Sequence, residues 1–117
     1  MNHSYDDDCL FCKIAQHQIP ATVVYEDDDI IAFDDIAPQA PVHTLIVPKT
    51  HVCNMNDDPS DEIISKTFGA VGKIARMKGV DKSGYRIIQN NGKAAGQTVD
   101  HLHVHVLGGT QFSEGMV

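Results

Sequence analysis

Three histidines alternate with apolar residues late in the chain: His101, His103 and His105 are separated by Leu102 and Val104. In a β-strand, successive side chains point to opposite faces, so the three imidazoles would share one face and the apolar side chains the other. One interpretation is a solvated or hydrogen-bonded structural face, and another is a metal site, because imidazole is a common metal ligand. The third is nucleophilic catalysis, in which a neutral imidazole attacks phosphorus while its neighbours hold phosphate oxygens. Three histidines in register beside an apolar row make the purely structural interpretation the weakest.

A second group with chemical potential is the Cys9-x-x-Cys12 pair near the start of the chain. The first residues have no cationic start and no apolar stretch, so we expect no secretory signal and a cytosolic protein. In that compartment the pair favours reduced thiols or metal ligands over a disulfide. The third cysteine, Cys53, has no partner in this pattern, and we assign it no role.

These groups must be positioned by an α+β domain. The predicted elements are a short helix over 10–15, strands over 22–25, 30–33, 43–47, 85–89 and 102–107, and a long helix over 59–78. Asp8 is the expected cap of the short helix and Asp58 that of the long helix, which Gly79 ends. The first two strands predict a hairpin, and the whole pattern predicts an antiparallel sheet with helices on one face.

Composition limits the classes of protein that the chain can form. With 117 residues, 42% of them apolar and 21% charged, it has an ordinary globular mixture for one domain. We expect a flexible acidic arm over residues 1–8 and a single domain over 9–117. The net charge of −7 argues against nucleic acid as a partner. No apolar run reaches the roughly 18 residues of a membrane span, so we expect no membrane partner.

Several motifs occur together in the order found in one known family. They are 9-CLFCKI, 19-IP, 33-FDDIAPQAP, His43, 46-IVPKTH, 96-GQTV and 101-HLHVHVL. From about Cys9 to Gly109 the chain resembles the histidine-triad family, and most closely the bacterial members of its nucleotide-binding Hint branch. This resemblance implies a five-stranded antiparallel sheet with one long and one short helix. It also implies a homodimer in which two such sheets join into ten strands.

The resemblance implies an enzyme that binds purine nucleoside monophosphates and hydrolyses phosphoramidates such as AMP linked to an amine. His103 would be the nucleophile that takes the nucleotidyl group, and His105 would contact the phosphate. His101 would orient His103, partly through its backbone carbonyl, and His43 would support the cluster. Thr98 would contact the phosphate and help protonate the leaving amine.

The same resemblance implies a nucleotide pocket in which Asp35 accepts hydrogen bonds from both ribose hydroxyls. The apolar residues expected around the base are Leu10, Phe11, Ile14, Phe33, Ile36 and Leu45. Those expected on the phosphate or ribose side are Asn90, Gly96, Gln97, Thr98, His103 and His105. Backbone N–H groups of the 96–98 loop could receive oxygens, since a glycine permits close approach.

Many bacterial relatives join such a cysteine pair to two histidines around a zinc ion. The matching set here is Cys9, Cys12, His51 and His101, which suits a closed tetrahedral structural zinc. Two buried reduced thiols are the alternative interpretation of the pair.

Two other functions compete with phosphoramidate hydrolysis. A dinucleoside polyphosphate hydrolase, as in the Fhit branch, ranks second because all three triad positions here are histidine. A nucleotide-binding scaffold or regulatory protein with incidental catalysis is the third. The chain has no Trp and lacks the Trp-Pro-Pro-Gly ending of familiar Hint members, so its choice among amines stays open.

Overall fold

A computed structural model describes residues 3–115; residues 1, 2, 116 and 117 of the predicted arm and domain lie outside this range. Five antiparallel strands form one sheet in the order β1-β2-β3-β5-β4, which confirms the predicted α+β fold. The strands are β1 (Val23–Glu26), β2 (Ile30–Asp34), β3 (Val42–Pro48), β4 (Tyr85–Ile88) and β5 (Val104–Gly108). The α-helices are α1 (Leu10–Ala15), α2 (Asp61–Gly69) and α3 (Val71–Met77).

The predicted β1–β2 hairpin is confirmed, and the acidic segment between its strands forms the turn. The Asp27 carboxylate accepts hydrogen bonds from the backbone N–H groups of Asp29 and Ile30 at 2.8 and 2.9 Å. Such a local carboxylate–backbone contact is the usual reason for aspartate in turns. The turn therefore fixes the register in which β2 meets β1.

The helices lie on both faces of the sheet, so the prediction that they share one face is wrong. On one face Phe11 and Ile14 of α1 pack with Phe33 and Leu45. On the opposite face, α2 and α3 cover a second cluster: Ile30, Ala32, Ile46, Val104 and Val106 pack with Ala70, Val71 and Ile74. Because Val104 and Val106 point to this second face, the histidines that alternate with them point toward α1.

The long helix is present as α2 followed by α3, with its turns interrupted at Ala70. Its cap is Ser60, whose hydroxyl accepts from the Ile63 N–H at 3.2 Å, so the prediction of Asp58 as the cap is wrong. Asp58 instead adopts a φ of 48° and closes the preceding 3₁₀ turn, Met55–Asp57. The cap of α1 is likewise Cys9 rather than Asp8, because the Cys9 sulfur accepts from the Cys12 N–H.

The strand that carries the histidines begins at Val104, two residues later than predicted. The Leu102 N–H donates to the Val52 carbonyl at 2.7 Å instead of joining the sheet ladder. His101 and His103 therefore lie in the segment that enters β5, and His105 lies within it. Among the described residues, no helix is long and apolar enough to cross a membrane.

Candidate functional site

The histidine row lies on the α1 face of the sheet, where His103 is buried beside Phe11. Their ring centroids are 5.1 Å apart, and the His105 ring lies 4.9 Å from that of His103 on the other side. His103 Nδ1 donates to the His101 carbonyl at 2.6 Å. Because a carbonyl only accepts, Nδ1 carries the proton and Nε2 of the neutral ring keeps its lone pair. The side chain of His103 borders a cleft, so this lone pair can act as a nucleophile toward a molecule bound there.

A chain of hydrogen bonds also fixes the tautomers of His43 and His105. The Gln39 backbone N–H donates to His43 Nδ1 at 3.0 Å, so the proton of the neutral His43 ring is on Nε2. His43 Nε2 lies 2.8 Å from His105 Nδ1 and donates to it. His105 Nδ1 is then an acceptor, and its proton is on Nε2. His105 thereby becomes a hydrogen-bond donor next to the His103 ring.

Burial keeps the imidazoles of His101, His103 and His105 neutral. It lowers the pKa of His103, an effect that the carbonyl of His101 and the nearby Asp35 carboxylate oppose. It lowers the pKa of His105 to about 4, with the neighbouring His103 and His43 acting in the same direction. Burial also lowers the pKa of His101 to about 4. At neutral pH the row is therefore uncharged, as a nucleophilic imidazole requires.

The cleft has a volume of about 260 Å³ and is lined by most of the residues predicted to bind nucleotide. Those that line it are Leu10, Phe11, Ile14, Phe33, Asp35, Ile36, Leu45, Thr98, His103 and His105. Ile36 lies at the rim, 98% exposed, whereas the other apolar side chains form the walls. The Asp35 carboxylate lies 3.5 Å from His43 Nε2 and accepts from the Ala37 N–H, so it borders both the apolar cleft and the histidines.

Five further residues line the cleft that sequence reasoning did not assign to it: Ile19, Pro20, Ala21, Asp34 and Val99. The 19–20 dipeptide was part of the family pattern, and this signal could have identified Ile19 and Pro20 as residues of the cleft wall. Asp34 and Val99 likewise belong to the 33-FDDIAPQAP and 96-GQTV motifs, whereas Ala21 lies outside the family pattern.

Three residues predicted to bind nucleotide do not line the cleft: Asn90, Gly96 and Gln97. The buried Gln97 amide accepts from the Gly92 N–H at 2.8 Å and donates to the Cys53 carbonyl at 2.7 Å. Gly96 has a φ of 87°, a conformation that favours glycine, where the chain turns toward Thr98. In this structure both residues shape the loop that carries Thr98.

The predicted metal ligands form a separate cluster behind the cleft. One donor atom each from Cys9, Cys12, His51 and His101 lies within 4.8 Å of the other three. His101 Nδ1 is 3.1 Å from the Cys9 sulfur and 3.2 Å from His51 Nδ1. The Cys12 sulfur is 3.4 Å from His51 Nδ1 and 3.5 Å from His101 Nδ1. Donors around a tetrahedral ion with bonds of about 2.0–2.3 Å are roughly 3.3–3.8 Å apart, so the four residues fit a metal.

The two clusters are joined through His101. Its Nε2 donates to the Pro48 carbonyl at 2.8 Å, which leaves Nδ1 to face the cysteines. Its own carbonyl accepts from His103 Nδ1. His101 therefore contributes its ring to the Cys/His cluster and its backbone oxygen to His103, so a change at the cluster affects the position of His103.

Comparison with known proteins decides the family. The HIT domain model matches residues 16–112. The chain belongs to the HIT domain family. It is 39% identical over 105 residues to the purine nucleoside phosphoramidase of Escherichia coli, covering 88% of each chain. It is also 43% identical over 99 residues to an uncharacterized HIT-like protein of Methanocaldococcus jannaschii, covering 85% of this chain and 77% of the relative.

Solved structures of the family share the fold. A HIT family hydrolase from Clostridium thermocellum has a TM-score of 0.90 at 43% identity, with 96% of this chain and 99% of the other covered. A histidine triad protein from Clostridium difficile has a TM-score of 0.89 at 46% identity, with 94% and 97% covered. The family and these relatives support a hydrolase activity for the chain.

Proposed function

We propose that this HIT protein is a purine nucleotide-binding hydrolase that cleaves nucleoside phosphoramidates through a nucleotidylated His103. The observation that carries the proposal is the neutral His103 ring, with Nδ1 donating to the His101 carbonyl and Nε2 left as a nucleophile. A relative of 39% identity named purine nucleoside phosphoramidase supports the substrate class. The position of His103 beside an apolar cleft and a carboxylate supports a nucleoside as the group recognised.

In the first step, His103 Nε2 attacks phosphorus, the N–P bond to the enzyme forms, and the bond from phosphorus to the amine breaks. The departing nitrogen takes a proton from the Thr98 hydroxyl, which is exposed at the cleft and regains its proton from water. His105 Nε2–H donates to a phosphoryl oxygen. Such positioned donors stabilise the charge that develops in phosphoryl transfer and act without rearranging.

In the second step, water attacks phosphorus and the bond to His103 Nε2 breaks. The water supplies a hydroxyl to the phosphate and a proton to the medium, and the products are the nucleoside monophosphate and a neutral His103. During the intermediate the ring carries a positive charge, since both of its nitrogens are bonded. The His101 carbonyl stabilises this charge through the Nδ1–H contact of 2.6 Å.

The nucleoside would be held by the remaining cleft residues. The apolar walls offer Phe11, Phe33 and Leu45 to the base, and the Asp35 carboxylate would accept hydrogen bonds from the ribose hydroxyls. Hydrogen bonds to an ionised acceptor contribute about 1.5–3 kcal/mol each. This carboxylate would therefore favour ribonucleotides over nucleotides without ribose hydroxyls. The apolar walls alone would not make that distinction.

We also propose that Cys9, Cys12, His51 and His101 hold a structural zinc ion. The donor set of two sulfurs and two imidazoles, together with their spacing, supports zinc over the harder cations. When bound, the ion would tie α1 to the segment that enters β5 and add stability. None of these four residues lines the cleft where the substrate would react. His101 affects the cleft only indirectly, because its carbonyl orients His103.

The edge of the sheet supports the predicted homodimer. β4 is an outer strand, and its Tyr85, Ile87 and Ile88 side chains are exposed. An exposed apolar edge strand favours pairing with another strand. Antiparallel pairing of two β4 strands would join two sheets into one of ten strands and cover these side chains.

The experiment that tests the reaction is turnover of an AMP–amine conjugate by the purified protein. We expect wild type to release AMP and amine, and His103→Ala to release neither. His17→Asn is the matched control, because it removes an exposed imidazole bonded to Glu26 instead. Faster cleavage of a diadenosine polyphosphate than of the phosphoramidate would contradict the substrate class. Turnover by His103→Ala would contradict the nucleophile.

A further inference from the structure

The acidic N-terminal arm, residues 3–8, lies against the segment that contains the metal-cluster residue His51. The Ser4 carbonyl accepts from the His51 backbone N–H at 3.0 Å, and the Ser4 hydroxyl donates to the His51 carbonyl at 3.0 Å. His3 continues the contact through Thr50 Oγ1 at 2.5 Å and the Asp28 carbonyl at 2.7 Å. The flexibility of residues 1–8 stays a prediction. Within the described part of this arm, Ser4 is hydrogen-bonded to both the backbone N–H and the backbone carbonyl of His51.

Asp6 connects the same arm to the other side of the metal cluster. Its carbonyl accepts from the Cys9 N–H at 3.0 Å, and its carboxylate Oδ2 lies 3.9 Å from His51 Nε2. Asp6 therefore contacts two of the four cluster residues, Cys9 and His51, and is not itself one of the four donors.

The two histidines of the cluster differ in what orients them. His101 donates from Nε2 to the Pro48 carbonyl, a buried contact within the domain. His51 presents Nδ1 to the cluster in the same way, but its Nε2 lies 3.9 Å from the Asp6 carboxylate of the arm and 3.9 Å from the Cys53 sulfur, and of these two groups only the carboxylate is charged. Histidine ligands of metals commonly donate their second ring nitrogen to a carboxylate or carbonyl, which fixes the ring and raises its basicity.

We propose that the N-terminal arm is the outer shell of the metal cluster, with Ser4 fixing the backbone of His51 and Asp6 orienting its ring. This inference rests on the proposed zinc site, but it assigns a role to residues outside the ligand set. Ser4 and Asp6 are positioning residues. Their expected effect is on the affinity and the retention of zinc, because a misdirected His51 ring removes one of four donors.

Variants of the full chain separate this role from a general effect of charge. Asp6→Asn keeps the carbonyl that accepts from Cys9 and an amide oxygen for the Asp8 N–H, but it removes the negative charge facing His51. Ser4→Ala removes the hydroxyl donor and keeps the carbonyl contact. Asp7→Asn is the matched control, since this neighbouring exposed carboxylate makes no side-chain hydrogen bond or ion pair among residues 3–115.

The measurement is the zinc dissociation constant, from competition with a chromogenic chelator at pH 7.5. Outer-shell substitutions commonly cost 10–100-fold in metal affinity. The carboxylate is 3.9 Å from His51 Nε2 and half exposed, so we expect about tenfold weaker binding for Asp6→Asn. Ser4→Ala should fall between Asp6→Asn and wild type, and Asp7→Asn should bind as wild type does. Zinc should leave Asp6→Asn faster after chelator is added.

Thermal unfolding with and without zinc provides the second readout. If Asp6 acts through the metal, the apoproteins of Asp6→Asn and Asp7→Asn have the same melting temperature. Zinc then raises the melting temperature of Asp6→Asn less than that of Asp7→Asn. Equal zinc affinities for wild type, Ser4→Ala and Asp6→Asn would overturn the inference about the arm alone. Failure of the wild-type protein to bind zinc would overturn the zinc site itself, and the arm's role with it.

Discussion

The hydrogen-bond chain through His43 makes a prediction about catalysis at a residue that is not the nucleophile. His43→Leu removes the Nε2–H that donates to His105 Nδ1 at 2.8 Å. His105 is then free to place its proton on Nδ1, and it no longer presents a fixed donor to the phosphate. The Gln39 N–H also loses its acceptor, and because Gln39 is exposed, water can replace it at a cost of about 0.5–1.5 kcal/mol in the free energy of unfolding.

The size of the catalytic effect has two limits. Loss of one neutral hydrogen bond, about 1 kcal/mol, would shift the tautomer balance of His105 roughly fivefold. Complete loss of a donor to developing charge costs about 10²–10³-fold in kcat. We therefore expect kcat of His43→Leu to fall about tenfold to a hundredfold, with AMP affinity changing much less. His43→Gln, whose amide N–H reaches about as far as Nε2, should recover part of the loss.

The assay is steady-state hydrolysis of an AMP–amine conjugate beside direct measurement of AMP binding, with unfolding midpoints to confirm that each variant is folded. A kcat for His43→Leu within twofold of wild type would refute the reasoning. A kcat for His43→Gln as low as that of His43→Leu would also refute the reasoning. An equal fall in kcat and AMP affinity would show that the cleft has collapsed, which is a different effect.

Three further predictions follow from the geometry. Asp35→Ala should weaken binding of ribonucleotides more than that of 2′,3′-dideoxy analogues, and calorimetry with both ligands checks this; equal losses would show that the carboxylate does not contact the ribose. Cys12→Ser should lose the metal and have a lower melting temperature, while its AMP affinity stays the same; elemental analysis checks the metal content. One zinc per chain retained in this variant would contradict the donor set. His105, which faces His103, His43 and Asp35, has a pKa of about 4 when folded and an ordinary value of 6.5. Between these pKa values the unfolded chain binds a proton that the native ring excludes, so the free energy of unfolding falls as pH drops from 6.5 to 4. When this free energy is measured with denaturant over that pH range, it should fall less for His105→Asn than for wild type.

The face on which the histidines lie could be predicted because strand periodicity is a property of the local sequence. Val104 and Val106 are buried under α2 and α3, so the intervening His105 had to face the other side. The start of β5 could not be predicted, since it depends on whether Leu102 finds a partner in the sheet. Its N–H bonds to Val52, a residue far away in the chain, and this ends the ladder.

Polar residues in loops were harder to interpret than residues in strands. Gln97 was expected at the nucleotide, yet its amide is bonded to Gly92 and Cys53, which only the folded path of the chain brings together. The Gln39 N–H that sets the tautomer of His43 is a backbone group, and no residue type reports where it points. The acidic arm was interpreted from charge alone, and its contacts with His51 depend on tertiary structure.

In the proposed reaction, His103 carries the nucleotidyl group between two steps. Rapid mixing with a labelled AMP–amine conjugate, acid-free quenching and intact-protein mass spectrometry measure this directly. We expect one AMP-sized addition on wild type and on His17→Asn, released by mild acid, and none on His103→Asn, which should still bind AMP. Equal labelling of His103→Asn, or turnover by wild type with no covalent species at any time point, would contradict the account.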